Sequence, residues 1–138
     1  MTVEELLQLP TIKGLKLISG NLGVHREIST VTVVDTPDGF QWLKGNEVVI
    51  TTTYALEKTP NSFLDFISKL LSRNISALIV KSDRYIKVIP ENAKKLCDEK
   101  ALPLIYCPAI YAFADIINPT LSGIISKQAE QLKESSKI

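Results

Sequence analysis

Glu47-Val48-Val49-Ile50-Thr51 has an unbroken apolar centre, and Ala77-Leu78-Ile79-Val80 and Leu104-Ile105-Tyr106 repeat the pattern further on. Short apolar runs without alternation are what strands covered on both faces require. Two helical patterns separate them. The first opens with Thr59 and Pro60 in the N-cap and N1 roles and gathers Phe63, Phe66, Ile67, Leu70 and Leu71 on one face. The second starts at Pro90 and turns Ala93, Leu96 and Cys97 inward. Strand, helix, strand, helix, strand predicts a parallel sheet with right-handed crossovers.

Toward the N-terminus, Thr2 and Glu5 stand at capping-box spacing ahead of Leu6, Leu7 and Leu9. Leu15 to Ser19 alternates like a half-buried strand, and Ile28 to Val34 is rich in β-branched residues. The turn Gly20-Asn21-Leu22-Gly23 between them predicts an antiparallel pair. Asp35-Thr36-Pro37-Asp38-Gly39 ends the second strand, and Asp35 and Asp38 suit side-chain to backbone turns around Pro37. Toward the C-terminus, Phe113, Ile116, Ile117, Leu121, Ile124 and Ile125 predict a helix in which Pro119 either makes a bend or marks a start near Asn118. Past Ile125 the apolar face fades, while Lys127 to Glu134 remains good helix former. The expected fold is α/β: a small mixed sheet with a parallel βαβαβ half flanked by helices, an N-terminal antiparallel strand pair and a long C-terminal exit helix. The expected division is a domain over residues 1–126 and a helical linker over 127–138, leading to further domains of a longer chain.

Composition narrows the function. The chain has 138 residues, 45% of them apolar, which suits one core. Sixteen basic against fifteen acidic side chains leave a net charge of +1, with no general attraction to nucleic-acid phosphate. No apolar run approaches the roughly 20 residues of a membrane span, and the N-terminus carries no signal-peptide pattern. Two cysteines without CxxC spacing suit reduced thiols in a cytoplasmic protein.

Catalytic constellations are sparse. His25 is the only histidine and sits in the polar turn Gly23-Val24-His25-Arg26-Glu27, which suits a solvated side chain better than a triad. Cys97 reads as a core residue. There is no Walker loop and no GxGxxG, and Gly20-x-x-Gly23 is too short for a phosphate cradle. Asp35, Asp38 and Glu47 are an ordinary density of carboxylates, so no metal, cofactor or enzymatic activity is expected. The polar residues that follow the buried strands carry more information, because ligands of parallel sheets bind outside the strands' carboxyl ends. They are Thr51, Thr52, Thr53 and Tyr54, then Lys81, Ser82, Asp83 and Arg84, then Cys107. Their hydroxyls, cations, carboxylate and ring suit a small polar molecule. The same residues also read as strand ends and a solvated loop, with Cys107 as packing.

Six ordered blocks carry a family likeness. The most specific is Trp42-Leu43-Lys44-Gly45-Asn46-Glu47-Val48-Val49-Ile50-Thr51-Thr52. With it go Ile18-Ser19-Gly20-Asn21-Leu22-Gly23, Val34-Asp35-Thr36-Pro37-Asp38, Ala77-Leu78-Ile79-Val80-Lys81, Leu102-Pro103-Leu104-Ile105 and Phe113-Ala114-Asp115-Ile116. Together they resemble the N-terminal domain of the PucR family of bacterial transcriptional regulators, the purine catabolism regulatory protein-like domain, from about Val3 to Ile125. Asn46 stands where that family usually has a second glycine, and asparagine tolerates left-handed φ. Thr53 replaces a usual glycine, and Asp35 a usual glutamate. The resemblance implies a regulatory module that senses a metabolite of purine-related chemistry, with DNA bound by a helix-turn-helix domain outside these residues. The alternative is a ligand-free module that dimerises the regulator through Trp42 and the exit helix.

Overall fold

The three apolar runs become the central strands of one sheet. The computed structural model describes residues 1–52, 62–83 and 89–135. Its strands are β1 (Lys16–Ser19), β2 (Thr30–Val33), β3 (Glu47–Thr52), β4 (Ala77–Ser82) and β5 (Leu104–Pro108), in the spatial order β1-β5-β4-β3-β2. The described α-helices are α1 (Val3–Leu7), α2 (Ser62–Leu71), α3 (Glu91–Glu99) and α4 (Phe113–Ser135). Thr59 and Pro60, read as the opening of α2, lie outside the described residues.

Alternation along the strands sends side chains to two cores. Val49, Leu78, Val80 and Leu104 pack on one face against Phe63, Phe66, Ile67 and Leu70 of α2 and Ala93 and Cys97 of α3. Val48, Ile50, Ala77, Ile79, Ile105 and Cys107 pack on the other against Val3 and Leu6 of α1 and Ile116 and Ile124 of α4. Burial on both faces explains the absence of a period-two pattern in β3 to β5. The strands β2, β3, β4 and β5 run parallel, as the βαβαβ rhythm predicts.

The N-terminal strand does make an antiparallel pair, but its partner is β5, not β2. Strands β1 and β2 form opposite edges of the sheet. Between them the chain passes along the amino ends of the central strands, held by Ile28 N donating to Met1 O, Val3 N to Arg26 O and the Arg26 guanidinium to Ile75 O and Lys100 O. Four strand spacings need about 19 Å, and ten residues can reach roughly 33 Å. The turn after β1 is a single 3-10 turn over Asn21–Gly23 that does not fold the chain back on β1. It lies against residues 101–103: a Cβ on Gly20 would stand 1.9 Å from Leu102 O, and one on Gly23 1.9 Å from Ala101 O.

Three local expectations are met. Thr2 and Glu5 form the reciprocal capping box of α1. Gly45 and Asn46 take positive φ, +115° and +67°, in the turn before β3. Helix α4 outlasts its apolar face, its last buried side chain being Ile124. Pro119 does not start the helix, which runs unbroken from Phe113. Beside it the Thr120 hydroxyl donates to Ile116 O at 2.7 Å.

Ala101 takes φ +51° at the end of α3, a conformation costing a side-chain-bearing residue about 1–2 kcal/mol. Ala101→Gly is therefore expected to raise the urea midpoint by the equivalent of roughly 0.5–1 kcal/mol, net of glycine's greater entropy loss. A lowered midpoint would show that the methyl group packs favourably.

Candidate functional site

Parallel pairing brings the carboxyl ends of four strands to one side of the sheet. Register places Thr52 beside Lys81, Lys81 beside Cys107 and Ser82 beside Pro108. Five of the residues expected to form a site, Thr51, Thr52, Lys81, Ser82 and Cys107, thus share three adjacent strand ends, with Asp83 exposed just beyond. Thr53, Tyr54 and Arg84 lie outside the described residues.

After β4 and β5 the chain diverges. The segment following β4 leads to α3 on one face, while β5 leads to α4 on the other. Divergence of this kind between neighbouring strands is the place where parallel sheets bind ligands. The Lys81 ammonium stands 5.3 Å from the centroid of the Phe113 ring, at the first residue of α4. Tyr106 donates from its hydroxyl to Ser82 O at 2.9 Å, tying the two strand ends together. Burial pushes the Cys107 thiol up to about 11, with Lys81 opposing and Asp115 adding to the shift. This thiol is neutral and packed into the core.

Asp35 joins this row although sequence reasoning placed it in a local turn. Its Oδ1 accepts from the Thr51 hydroxyl at 3.1 Å, the Thr52 hydroxyl at 3.1 Å and Thr52 N at 2.7 Å. The expected pairing of β2 with β1 concealed this role. Only a parallel β2–β3 pair carries Asp35 to the end of β3.

A cleft of about 540 Å³ continues from Asp35 along the free edge of β2. Thr30 and Thr32 form one wall, and the crossover from β2 to β3, including Trp42, Leu43 and Lys44, forms the other. Glu47 also lines the cleft. It is only 5% exposed, and its carboxylate accepts from Lys44 N at 2.5 Å and Gly45 N at 2.8 Å. Among the described residues no three His, Cys, Asp or Glu side chains converge as metal ligands would.

The same blocks that build this end of the sheet carry the family likeness. The family model described as purine catabolism regulatory protein-like matches residues 5–124. The chain belongs to that family. It is 31% identical over 135 residues to the purine catabolism regulatory protein of Bacillus subtilis (strain 168), an alignment covering 98% of this chain and 25% of the relative. The chain thus spans about a quarter of that relative's length. No solved structure matches it. The family match ends at residue 124, where burial on α4 also ends. No described helix is long and apolar enough to cross a membrane.

Proposed function

We propose that this chain is the non-enzymatic sensing module of a bacterial, cytoplasmic transcription regulator. It binds a small polar metabolite at the strand carboxyl ends and passes occupancy to α4. The relative's printed name supports purine breakdown as the regulated chemistry. On this reading residues 1–126 are the sensing domain and 127–138 a helical linker, with DNA bound by a helix-turn-helix domain elsewhere in the regulator.

The observation that carries the reading is Lys81. Its stem belongs to β4 and its ammonium rests on Phe113, the first residue of α4. A ligand at the strand ends carrying Thr51, Thr52, Ser82, Asp83 and Cys107 that draws the ammonium away removes a contact from the foot of the helix, and Thr53, Tyr54 and Arg84 join the proposed site on sequence grounds. The test is a thermal-shift and calorimetric screen of purines, allantoin and related metabolites. A true ligand at a hundred times its Kd is expected to stabilise the fold by about 2.7 kcal/mol, a Tm rise of several degrees. A screen in which no metabolite raises Tm counts against sensing.

A second reading is favoured by exposed apolar side chains: Trp42 is 82% exposed, Ile125 64% and Leu132 72%. These suit a dimerisation module that needs no ligand. Sedimentation at rising concentration separates the two, since a monomer throughout would sink the dimer version.

A further inference from the structure

We infer that the cleft along β2 is a binding site for a flat molecule presenting N–H donors, with Trp42 as its stacking platform and Asp35 as its acceptor. The inference does not depend on the sensing reading, because the cleft can be occupied whether or not α4 responds.

Three observations define the ligand. First, the volume of about 540 Å³ lies in the range of small-molecule sites. Trp42 lines the cleft and is 82% exposed, and an exposed indole can take another flat π system or a cation on its face. Second, the bonds to Asp35 all fall on Oδ1. Oδ2 has no described partner, in a residue that lines the cleft. Because Thr51 and Thr52 hold Oδ1, the carboxylate is oriented with one acceptor oxygen to spare. The Thr30 and Thr32 side chains add unbonded hydroxyls along the same wall.

Third, charge selects among flat molecules. The ionisable residues lining the cleft are Asp35, Glu47 and Lys44, two carboxylates against one ammonium. Glu47 is committed to the backbone N–H groups of Lys44 and Gly45, but its charge remains. An anion therefore meets net repulsion, while an N–H donor meets a charged acceptor, whose hydrogen bonds are the stronger kind. The class is a neutral or cationic planar molecule with N–H groups at its rim, such as an amidine or a cyclic amide.

Trp42 is the chain's only tryptophan, so its emission reports the cleft directly. Benzamidine and hypoxanthine, titrated separately, are expected to quench it saturably. Benzoate, which keeps benzamidine's outline but replaces the donors with an anion, is expected not to. Asp35→Asn retains the Oδ1 acceptor and turns the other position into a donor. It should weaken benzamidine binding at least about tenfold, as losing a hydrogen bond to a charged group implies. Thr32→Val, which keeps the volume, should weaken binding a few-fold.

Absence of saturable quenching by either probe overturns the site. So does benzoate binding equal to benzamidine, or undiminished affinity in Asp35→Asn. If Asp35→Asn fails to fold by circular dichroism, unchanged affinity in Thr32→Val is the overturning result. If neither probe quenches while a metabolite raises Tm equally in wild type and Asp35→Asn, sensing stands and the cleft is overturned. Saturable quenching supports the cleft whether or not any metabolite raises Tm.

Discussion

Gly20→Ala is expected to lose at least about 3 kcal/mol of stability, read as a fall in the urea midpoint at unchanged slope. Two costs add at this position. The backbone sits at φ +74°, where a side chain costs about 1–2 kcal/mol. The new Cβ would also lie 1.9 Å from Leu102 O, a backbone atom that cannot rotate away. Relief requires lifting the 3-10 turn off residues 101–103, which breaks the 2.7 Å bond from Gly20 N to the Asp98 carboxylate. That turn carries the chain from one edge of the sheet toward the other, so its displacement reaches both β1 and the path to β2. Leu22→Ala is the control. Leu22 is exposed in the same turn, and its truncation should stay within about 0.5 kcal/mol. Equal midpoints for Gly20→Ala and wild type would mean the turn does not sit on that backbone.

The second large effect is alkaline. Burial, with Asp98 adding, pushes the Cys97 thiol up to about 12, and burial pushes Cys107 up to about 11, from an ordinary value of 9.0. The unfolded chain therefore releases two protons near pH 9 that the folded chain keeps. Above pH 9 the folded state binds more protons than the unfolded state, so stability falls as pH rises. The thiol contribution is fully present below pH 9 and is lost progressively toward pH 11 to 12. Each thiol removes up to about 1.4 kcal/mol per pH unit, a large share of a typical 5–15 kcal/mol. Urea midpoints at steps from pH 7.5 to 10.5 measure the slope, and a Cys97→Ala, Cys107→Ala chain isolates it from tyrosine and lysine titration. That variant starts less stable, from lost packing, but should decline less steeply. Parallel decline of the two proteins would rule the thiols out as the cause.

The parallel half of the fold was legible because its signals are local. Val48 to Ile50, Ala77 to Val80 and Leu104 to Ile105 are buried on both faces, and the helical faces between them have the right period. The capping box of Thr2 and Glu5, the left-handed Asn46 and the fading face of α4 were legible for the same reason. The partner of β2 was not. Val31 and Val33 suit an antiparallel or a parallel neighbour equally, and what decides is the path of residues 20–29 beneath the other strands, seen only when Arg26 meets Ile75 O and Lys100 O. That hidden choice propagates to the site. Thr51, Thr52, Lys81, Ser82 and Cys107 follow strands with an unmistakable pattern, so their shared edge was predictable. Asp35, Thr30, Thr32 and Trp42 come together only once β2 lies beside β3 and its crossover folds over the edge. A glycine pair or a CxxC announces itself in sequence, but an exposed tryptophan does not.

The ion pair between Lys127 and Glu5, 3.1 Å long, anchors α4 one turn past its last buried residue. The same Glu5 carboxyl, held below its usual value by the Thr2 backbone and by Lys127, also caps α1. Beyond that point the eight residues from Gln128 to Ser135 extend for about 12 Å, exposed through Glu134. Mechanically this is a lever with a solvent-facing charge pair at its fulcrum. A tilt of roughly 10° at the fulcrum would carry the tip about 2 Å, given a rise of about 1.5 Å per residue. Because exposed charges are screened by ions, the stiffness of that lever should soften with salt while the sheet beneath it does not.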